Sequence, residues 1–241
     1  CFFESKELIN FWSNINEENF KERGMLPHHG NKFVKIYDSN KNIYGINTKF
    51  DNYSFSLKDI CYNKFSLHSD DKYCLFLYPK LVSYSEDDIL NIYSHLRKLG
   101  YKIIVKARPK SSHLLKNKNL KGDCYVESDI YPNETLMLLS ICELCVFSSS
   151  SAQTECLFSM VPCLDLESET RQKWPGFEFL VDNKFYKQII NEEWKGIEFN
   201  RFKDIVDSLE KKGSEYIVNL RNQYFMTENS SSEILNRITL L

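Results

Sequence analysis

From Lys72 onward, short runs of wholly apolar residues alternate with stretches whose apolar positions recur every three or four residues. The run Tyr73–Tyr78 is almost entirely apolar, the pattern of a parallel strand covered on both faces. Ser85-Glu86-Asp87-Asp88 reads as a capping box. It opens a helix whose Ile89, Ile92, Tyr93, Leu96 and Leu99 share one face, and Gly100 closes it. Tyr101–Val105 is the second strand and Cys124–Glu127 the third. A helix over Glu134–Ile141 leads to a strand at Leu144–Phe147, a helix at Ala152–Met160, a strand at Pro162–Leu166 and a last strand at Phe177–Val181. Amphipathic helices near Arg201–Lys211, Ser214–Phe225 and Ser231–Leu240 close the chain, with Phe202, Ile205, Val206 and Leu209 as the buried stripe of the first. Strand–helix alternation at this spacing predicts parallel pairing with right-handed crossovers, hence an α/β fold on a doubly wound sheet.

Ahead of Lys72 the pattern is different. Glu4–Gly24 is helical in spacing, with Leu8, Ile9, Phe11, Trp12 and Ile15 as its apolar positions. A loop at Met25–Gly30 carries adjacent His28 and His29, and strand-like runs follow at Lys32–Tyr37 and Asn42–Ile46. The two histidines are either acid/base or metal-binding groups or exposed loop residues; no Cys, His or carboxylate stands near them at ligand spacing. The boundary between the two patterns lies near Phe50–Asp71.

A chain of 241 residues suffices for one large domain, or for one full domain and part of another. Its 31 basic and 33 acidic residues give a net charge of −2, which argues against a general nucleic-acid binder. No apolar run approaches the roughly 20 residues of a membrane span. The chain opens on Cys1 without a basic segment leading into an apolar one, so no signal peptide is expected and the start reads as a cut. Of the eight cysteines, Cys74, Cys142, Cys145, Cys156 and Cys163 sit within apolar patterns, where a thiol serves as a small hydrophobe. Cys142, Cys145, Cys156 and Cys163 are the alternative, a four-thiolate zinc set, but they lack the Gly-bearing knuckle turns of such sites. Reduced thiols in a cytoplasmic protein without a metal are the expectation.

Candidate chemistry concentrates at Ile141–Glu167, ICELCVFSSSSAQTECLFSMVPCLDLE. A strand that stops in small hydroxyl residues and turns at once into a helix aims N–H groups at its C-terminal edge, where open α/β sheets bind phosphorylated ligands. Ser148, Ser149, Ser150 and Ser151 add hydroxyl donors, and Gln153 and Glu155 lie in the first helical turns. Serine is also a preferred N-cap, so part of the run has a structural use whether or not a ligand binds. The second strand ends in Lys106-Ala107-Arg108-Pro109-Lys110. Arg108 can hold phosphate bidentately and Lys106 acts as a point charge, while Pro109 fixes the turn. A solvated basic loop is the plain alternative. Two such corners on one rim would converge on one crevice if their strands are neighbours. Glu155 is placed to accept hydrogen bonds from a ribose diol, or simply to favour a helix start. Arg171, just past the next strand, is either a rim cation or a surface arginine. GxGxxG, GxxxxGK[ST], Ser-His-Asp and HExxH patterns do not occur.

Together these residues resemble a known fold family. An apolar strand, Lys106-x-Arg108-Pro109, an acidic end of the third strand, a helix, Leu144-Cys-Val-Phe-Ser-Ser-Ser-Ser151-Ala-Gln-x-Glu155 and then Val161-Pro162 resemble the C-terminal half of GT-B-fold enzymes. The similar groups are surface-polysaccharide glycosyltransferases, CDP-glycerol glycerophosphotransferases and UDP-N-acetylglucosamine 2-epimerases. Their pattern is K-x-H-P after the second strand, a D-S-S/G-x-x-x-E turn and an L-G-x-P ending. Lys106, Pro109, Ser149, Ser150 and Glu155 match it. Arg108 stands for the usual His, Ser148 for Asp, and Ser159-Met160-Val161-Pro162 for L-G-x-P. Arg171 and Gly176 align with the epimerase T-E-R-P-E run, and Gly45–Asp51 is similar to the G-N-x-x-x-D piece that closes the N-terminal domain.

The resemblance implies a Rossmann-like nucleotide-sugar-binding domain at residues 71–195. Residues 1–70 would be the end of an N-terminal acceptor-side domain plus linker, and residues 196–241 helices packing back across the domains. It also implies a nucleotide-sugar donor of UDP or CMP/CDP type and a glycan acceptor, with no nucleic acid and at most peripheral membrane association. Donor phosphate would sit on Lys106, Arg108 and Ser148–Ser151, and ribose or sugar on Gln153, Glu155 and Arg171, without a metal or other cofactor. No catalytic base is assigned. A glycosyltransferase of surface-glycan synthesis is the first expectation. The alternatives are a 2-epimerase, a glycerophosphotransferase, or a degenerate half acting as a binding or scaffolding module.

Overall fold

The computed structural model describes residues 57–78, 85–107, 115, 117–127, 133–148, 152–166, 183–189 and 193–224. The chain divides into two units, one of Cys1–Asn52, Lys173–Phe179 and Asn222–Leu241, the other of Tyr53–Gln172 and Leu180–Arg221. Nearly all described residues belong to the second.

That unit is built on a single six-stranded sheet. Its elements run α1 (Leu57–Phe65), β1 (Lys72–Leu77), α2 (Glu86–Lys98), β2 (Tyr101–Ala107), a 3-10 turn (Lys118–Lys121), β3 (Cys124–Glu127), α3 (Asn133–Ile141), β4 (Cys142–Phe147), α4 (Ala152–Phe158), β5 (Cys163–Leu166), β6 (Tyr186–Ile189), α5 (Phe199–Asp207) and α6 (Glu215–Tyr224). Strand order is β3-β2-β1-β4-β5-β6 and every pairing is parallel. The expected doubly wound α/β sheet is therefore the observed one.

Alternate residues of each strand serve two separate cores, because successive side chains leave a strand on opposite faces. Cys74, Phe76, Ile103, Val105, Leu144, Val146, Leu164 and Leu166 join Ile89, Ile92, Tyr93 and Leu96 of α2, with Trp194, Ile197 and Phe202 completing that core. Phe76 meets Tyr93 edge-on, with ring centroids 4.9 Å apart. The other face carries Leu75, Cys145, Phe147 and Cys163, all fully buried. The thiol of Cys156 in α4 shares hydrogen bonds with those of Cys145 and Cys163, so α4 lies on this second face. Helix α3, whose Leu136, Leu138, Leu139 and Ile141 are buried, contacts α4, β1 and β4.

The predicted caps are present where local chemistry controls them. Ser85 Oγ accepts a hydrogen bond from the Asp88 N–H at 3.1 Å, and Gly100 takes φ of 86° just past the end of α2. Helix α4 stops at Phe158 rather than Met160. There the Val161 N–H reaches Cys156 O at 2.9 Å and the Met160 N–H reaches Leu157 O at 3.0 Å, a Schellman closure with Met160 at φ of 56°. Helix α5 begins two residues before the predicted Arg201 and ends at Asp207, where Ser208 Oγ bonds back to Ile205 O.

Besides the 3-10 turn at Lys118–Lys121, two described elements have no counterpart in the sequence reading. Strand β6 has the composition Tyr-Lys-Gln-Ile, with Lys187 and Gln188 half-buried, so no apolar run marks this sheet edge. Helix α1 buries Cys61 while Ile60 stays 53% exposed, which leaves its amphipathic pattern weak. The predicted elements at Glu4–Gly24, Lys32–Tyr37, Asn42–Ile46, Phe177–Val181 and Ser231–Leu240, the Pro27–Gly30 loop and the Gly45–Asp51 piece lie outside the described residues.

Candidate functional site

The strand order reverses between β1 and β4, and a ligand crevice forms in open α/β sheets where the order reverses, beyond the C-terminal ends of the strands. Here β1 is the strand shared by both predicted corners. Leu77, its last residue, pairs in register with Lys106 of β2 on one side and with Phe147 of β4 on the other. The Tyr78 N–H extends the β1–β2 ladder to Lys106 O at 2.9 Å. The basic corner after β2 and the serine corner after β4 thus leave the same end of the sheet with one strand between them. At one strand spacing per step, the backbones of Lys106 and Phe147 stand about 10 Å apart.

In-register neighbours of parallel strands point the same way, so Lys106, Leu77, Phe147 and Asp165 form a row across β2, β1, β4 and β5 on the face that carries α4. Lys106 is 5% exposed and Asp165 is 1% exposed. Both are charged groups inside the fold, where an ion is costly without compensating partners. Asp165 Oδ2 accepts a hydrogen bond from the Tyr186 hydroxyl at 2.7 Å, and the Tyr186 ring lies 6.3 Å from that of Phe147. Helix α4 brings Gln153 and Glu155 to the same end of the sheet, both buried and Glu155 completely so. Ser148, half-buried, is the first residue beyond Phe147.

Among the predicted site residues, Lys106, Ser148, Gln153 and Glu155 are therefore brought to one rim of the sheet, with Lys106 and Ser148 on either side of β1. Arg108, Ser149, Ser150, Ser151 and Arg171 lie outside the described residues. Sequence reasoning did not single out Asp165 or Tyr186. The signal for Asp165 was present, since it is the one polar residue in the strand Cys-Leu-Asp-Leu; nothing local marks Tyr186, whose strand was not recognised.

The four-thiolate arrangement of Cys142, Cys145, Cys156 and Cys163 takes another form. Among the described residues no group of His, Cys, Asp or Glu could hold a metal ion. Burial pushes the thiols of Cys142, Cys145 and Cys163 well above their ordinary range, so they remain protonated packing groups. Among the described residues no helix is long and apolar enough to cross a membrane.

A scan against protein-family models gives no match, and a search of curated proteins gives none either. Solved structures do match. One structure of the wall teichoic acid polymerase TagF, determined with CDPG, covers 98% of this chain at 12% identity and a TM-score of 0.56. Another TagF structure covers 76% of the chain at 14% identity and a TM-score of 0.51. The fold is GT-B-like. A glycotransferase of kitacinnamycin has the same relation to it, covering 70% of the chain at 12% identity and a TM-score of 0.50. The chain spans 55%, 46% and 43% of the lengths of these GT-B structures, about half of each. At such identities the likeness concerns the fold.

Proposed function

We propose that this chain is the donor-binding half of a GT-B-type glycosyltransferase that takes a sugar from a nucleotide-activated donor in surface-glycan synthesis. The observation that carries the reading is the double pairing of Leu77, which sets the Lys106 corner and the Ser148 corner on either side of one strand at the reversal of strand order. In this reading Lys106 and Arg108 supply positive charge to the departing nucleotide phosphate. Ser148, Ser149, Ser150 and Ser151 donate hydrogen bonds to the same oxygens. Charge that develops on the leaving phosphate is stabilised by groups already in place, which is the largest contribution a protein of this kind makes to the transfer. Gln153, Glu155 and Arg171 accept or donate hydrogen bonds to the ribose and sugar hydroxyls. The acceptor and the catalytic base belong to the other half of such a fold.

A CDP-linked donor, and with it a glycerophosphotransferase, is the second reading. It is supported by the TagF structure determined with CDPG, whose match extends over 98% of the chain. Calorimetry with UDP, CMP, CDP and GDP separates the two by the base that binds. Arg108→Ala and Glu155→Gln are each expected to weaken the bound nucleotide about tenfold, since a hydrogen bond to a charged group contributes about 1.5–3 kcal/mol. Unchanged affinity in both variants rejects the site. Absence of binding by the unaltered chain with all four nucleotides leaves the scaffold reading in its place.

A further inference from the structure

Helices α3 and α4 both begin at the C-terminal rim of the sheet, following β3 and β4, and both end at the opposite edge. Their far ends are held by one short stretch of chain. Lys212 Nζ donates to Leu139 O at 2.8 Å, Ser140 O at 2.7 Å and Cys142 O at 2.8 Å, closing the C-terminus of α3 and its turn into β4. The Gly213 N–H donates to Met160 O at 3.1 Å, just past the end of α4. Arg221 Nε donates to Phe158 O, the last residue of α4, at 3.0 Å, and its guanidinium lies 4.8 Å from the Phe158 ring centre.

Two cations thus sit where helix carbonyls lack intrahelical partners and where the helix dipole favours positive charge. Helix α4 has only seven residues, about 10 Å of length. A displacement at Phe158 therefore reaches Gln153 and Glu155 within less than two turns, because the short helix moves as one body. We infer that the Lys212–Arg221 stretch is a positioning element for the rim, with Lys212 and Arg221 setting the seating of α3 and α4 and through α4 the placement of Gln153 and Glu155. The inference rests on the nucleotide reading of that rim. It adds that a bound nucleotide is felt in α6, whose Arg221 lies 63 residues along the chain from Phe158.

The test uses the full chain, with the nucleotide that binds best among UDP, CMP, CDP and GDP. Lys212→Met and Arg221→Gln are each expected to raise its Kd about three- to fivefold at a temperature where circular dichroism shows the variant folded. Arg221→Lys, which keeps a cation at the carbonyl, is expected to recover most of the loss. Bound nucleotide is expected to slow amide exchange at residues 215–221 in the unaltered chain and to lose that effect in Arg221→Gln. A merely structural role gives the opposite result: lower melting temperatures, Kd within about twofold of the unaltered chain, and α6 exchange indifferent to nucleotide. That result overturns the inference while leaving the nucleotide site standing. Absence of binding by the unaltered chain is a distinct failure, which removes the nucleotide reading first and this inference with it.

Discussion

Tyr186 donates its phenolic proton to the buried carboxylate of Asp165 at 2.7 Å, joining β6 to β5 beneath the serine corner. Burying a carboxylate without donors is far more costly than burying a phenol, so the phenol supports the charge rather than the reverse. Tyr186→Phe removes that donor while keeping the ring against Phe147. We expect a loss of about 1–3 kcal/mol in urea denaturation, with little change in the slope of the transition.

Met160 holds a left-handed backbone at φ of 56°, in the position where a helix ending in a Schellman closure ordinarily has glycine. The resembled L-G-x-P pattern has glycine at the matching point. Met160→Gly relieves a conformation that costs an L-residue roughly 1–2 kcal/mol, against a smaller loss of unfolded-state restriction. A net gain of about 0.5–1 kcal/mol is the expected outcome in chemical denaturation. A loss would show that the Met160 side chain contributes more than its backbone costs.

Gly122 presents the contrary case. Its φ is 67°, and a Cβ there would lie 2.7 Å from both Ile103 O and Val105 Cγ2. The close approach is fixed by the next residue, since the Asp123 N–H bonds to Ile103 O at 2.9 Å and Asp123 Oδ2 accepts from the Ile103 N–H at 2.8 Å. Gly122→Ala is expected to cost about 2 kcal/mol or more and to lower the melting temperature by several degrees.

Stability should also fall in alkali. Burial pushes the Cys61 thiol from 9.0 up to about 12, and raises Cys74, Cys142, Cys145 and Cys163 as well. Folded values above the unfolded ones mean that the unfolded chain releases protons first. The stabilisation is complete below pH 9 and is lost as pH rises toward the folded values, by about 1.4 kcal/mol per unit for each fully shielded thiol. Lys212 has the opposite sign. Burial draws its ammonium from 10.5 down to about 8, so its contribution is present above 10.5 and lost as pH falls through about 8. Denaturation midpoints should decline from pH 9 to pH 10 in the unaltered chain, and decline more steeply over that interval in Lys212→Met. A flat profile would contradict the thiol assignment.

The readable parts of this protein were those controlled by near neighbours in sequence. Tyr73–Tyr78, Ser85 at its N-cap and the run into Ser148 each announce themselves within a few residues, because burial on both faces, capping and turn chemistry act locally. Even the composition of the rim followed, since Lys106 and Ser148 directly end or follow apolar strands. Elements with weak local patterns escaped. β6 sets two adjacent polar residues between single apolar ones at a sheet edge, and α1 owes its burial to contact with α3 rather than to its own periodicity.

Sequence alone determined that the chain folds as parallel β/α units with cationic and hydroxyl corners at strand ends, because those features depend on residue types a few positions apart. Only the tertiary structure decided that β1 stands between the two corners, that Lys106 and Asp165 share the face covered by α4, and that Tyr186 meets Asp165. The reason is that parallel strands find their partners across a crossover. Which strand lies beside which, and in what register, is a property of the whole sheet's packing and not of any one segment.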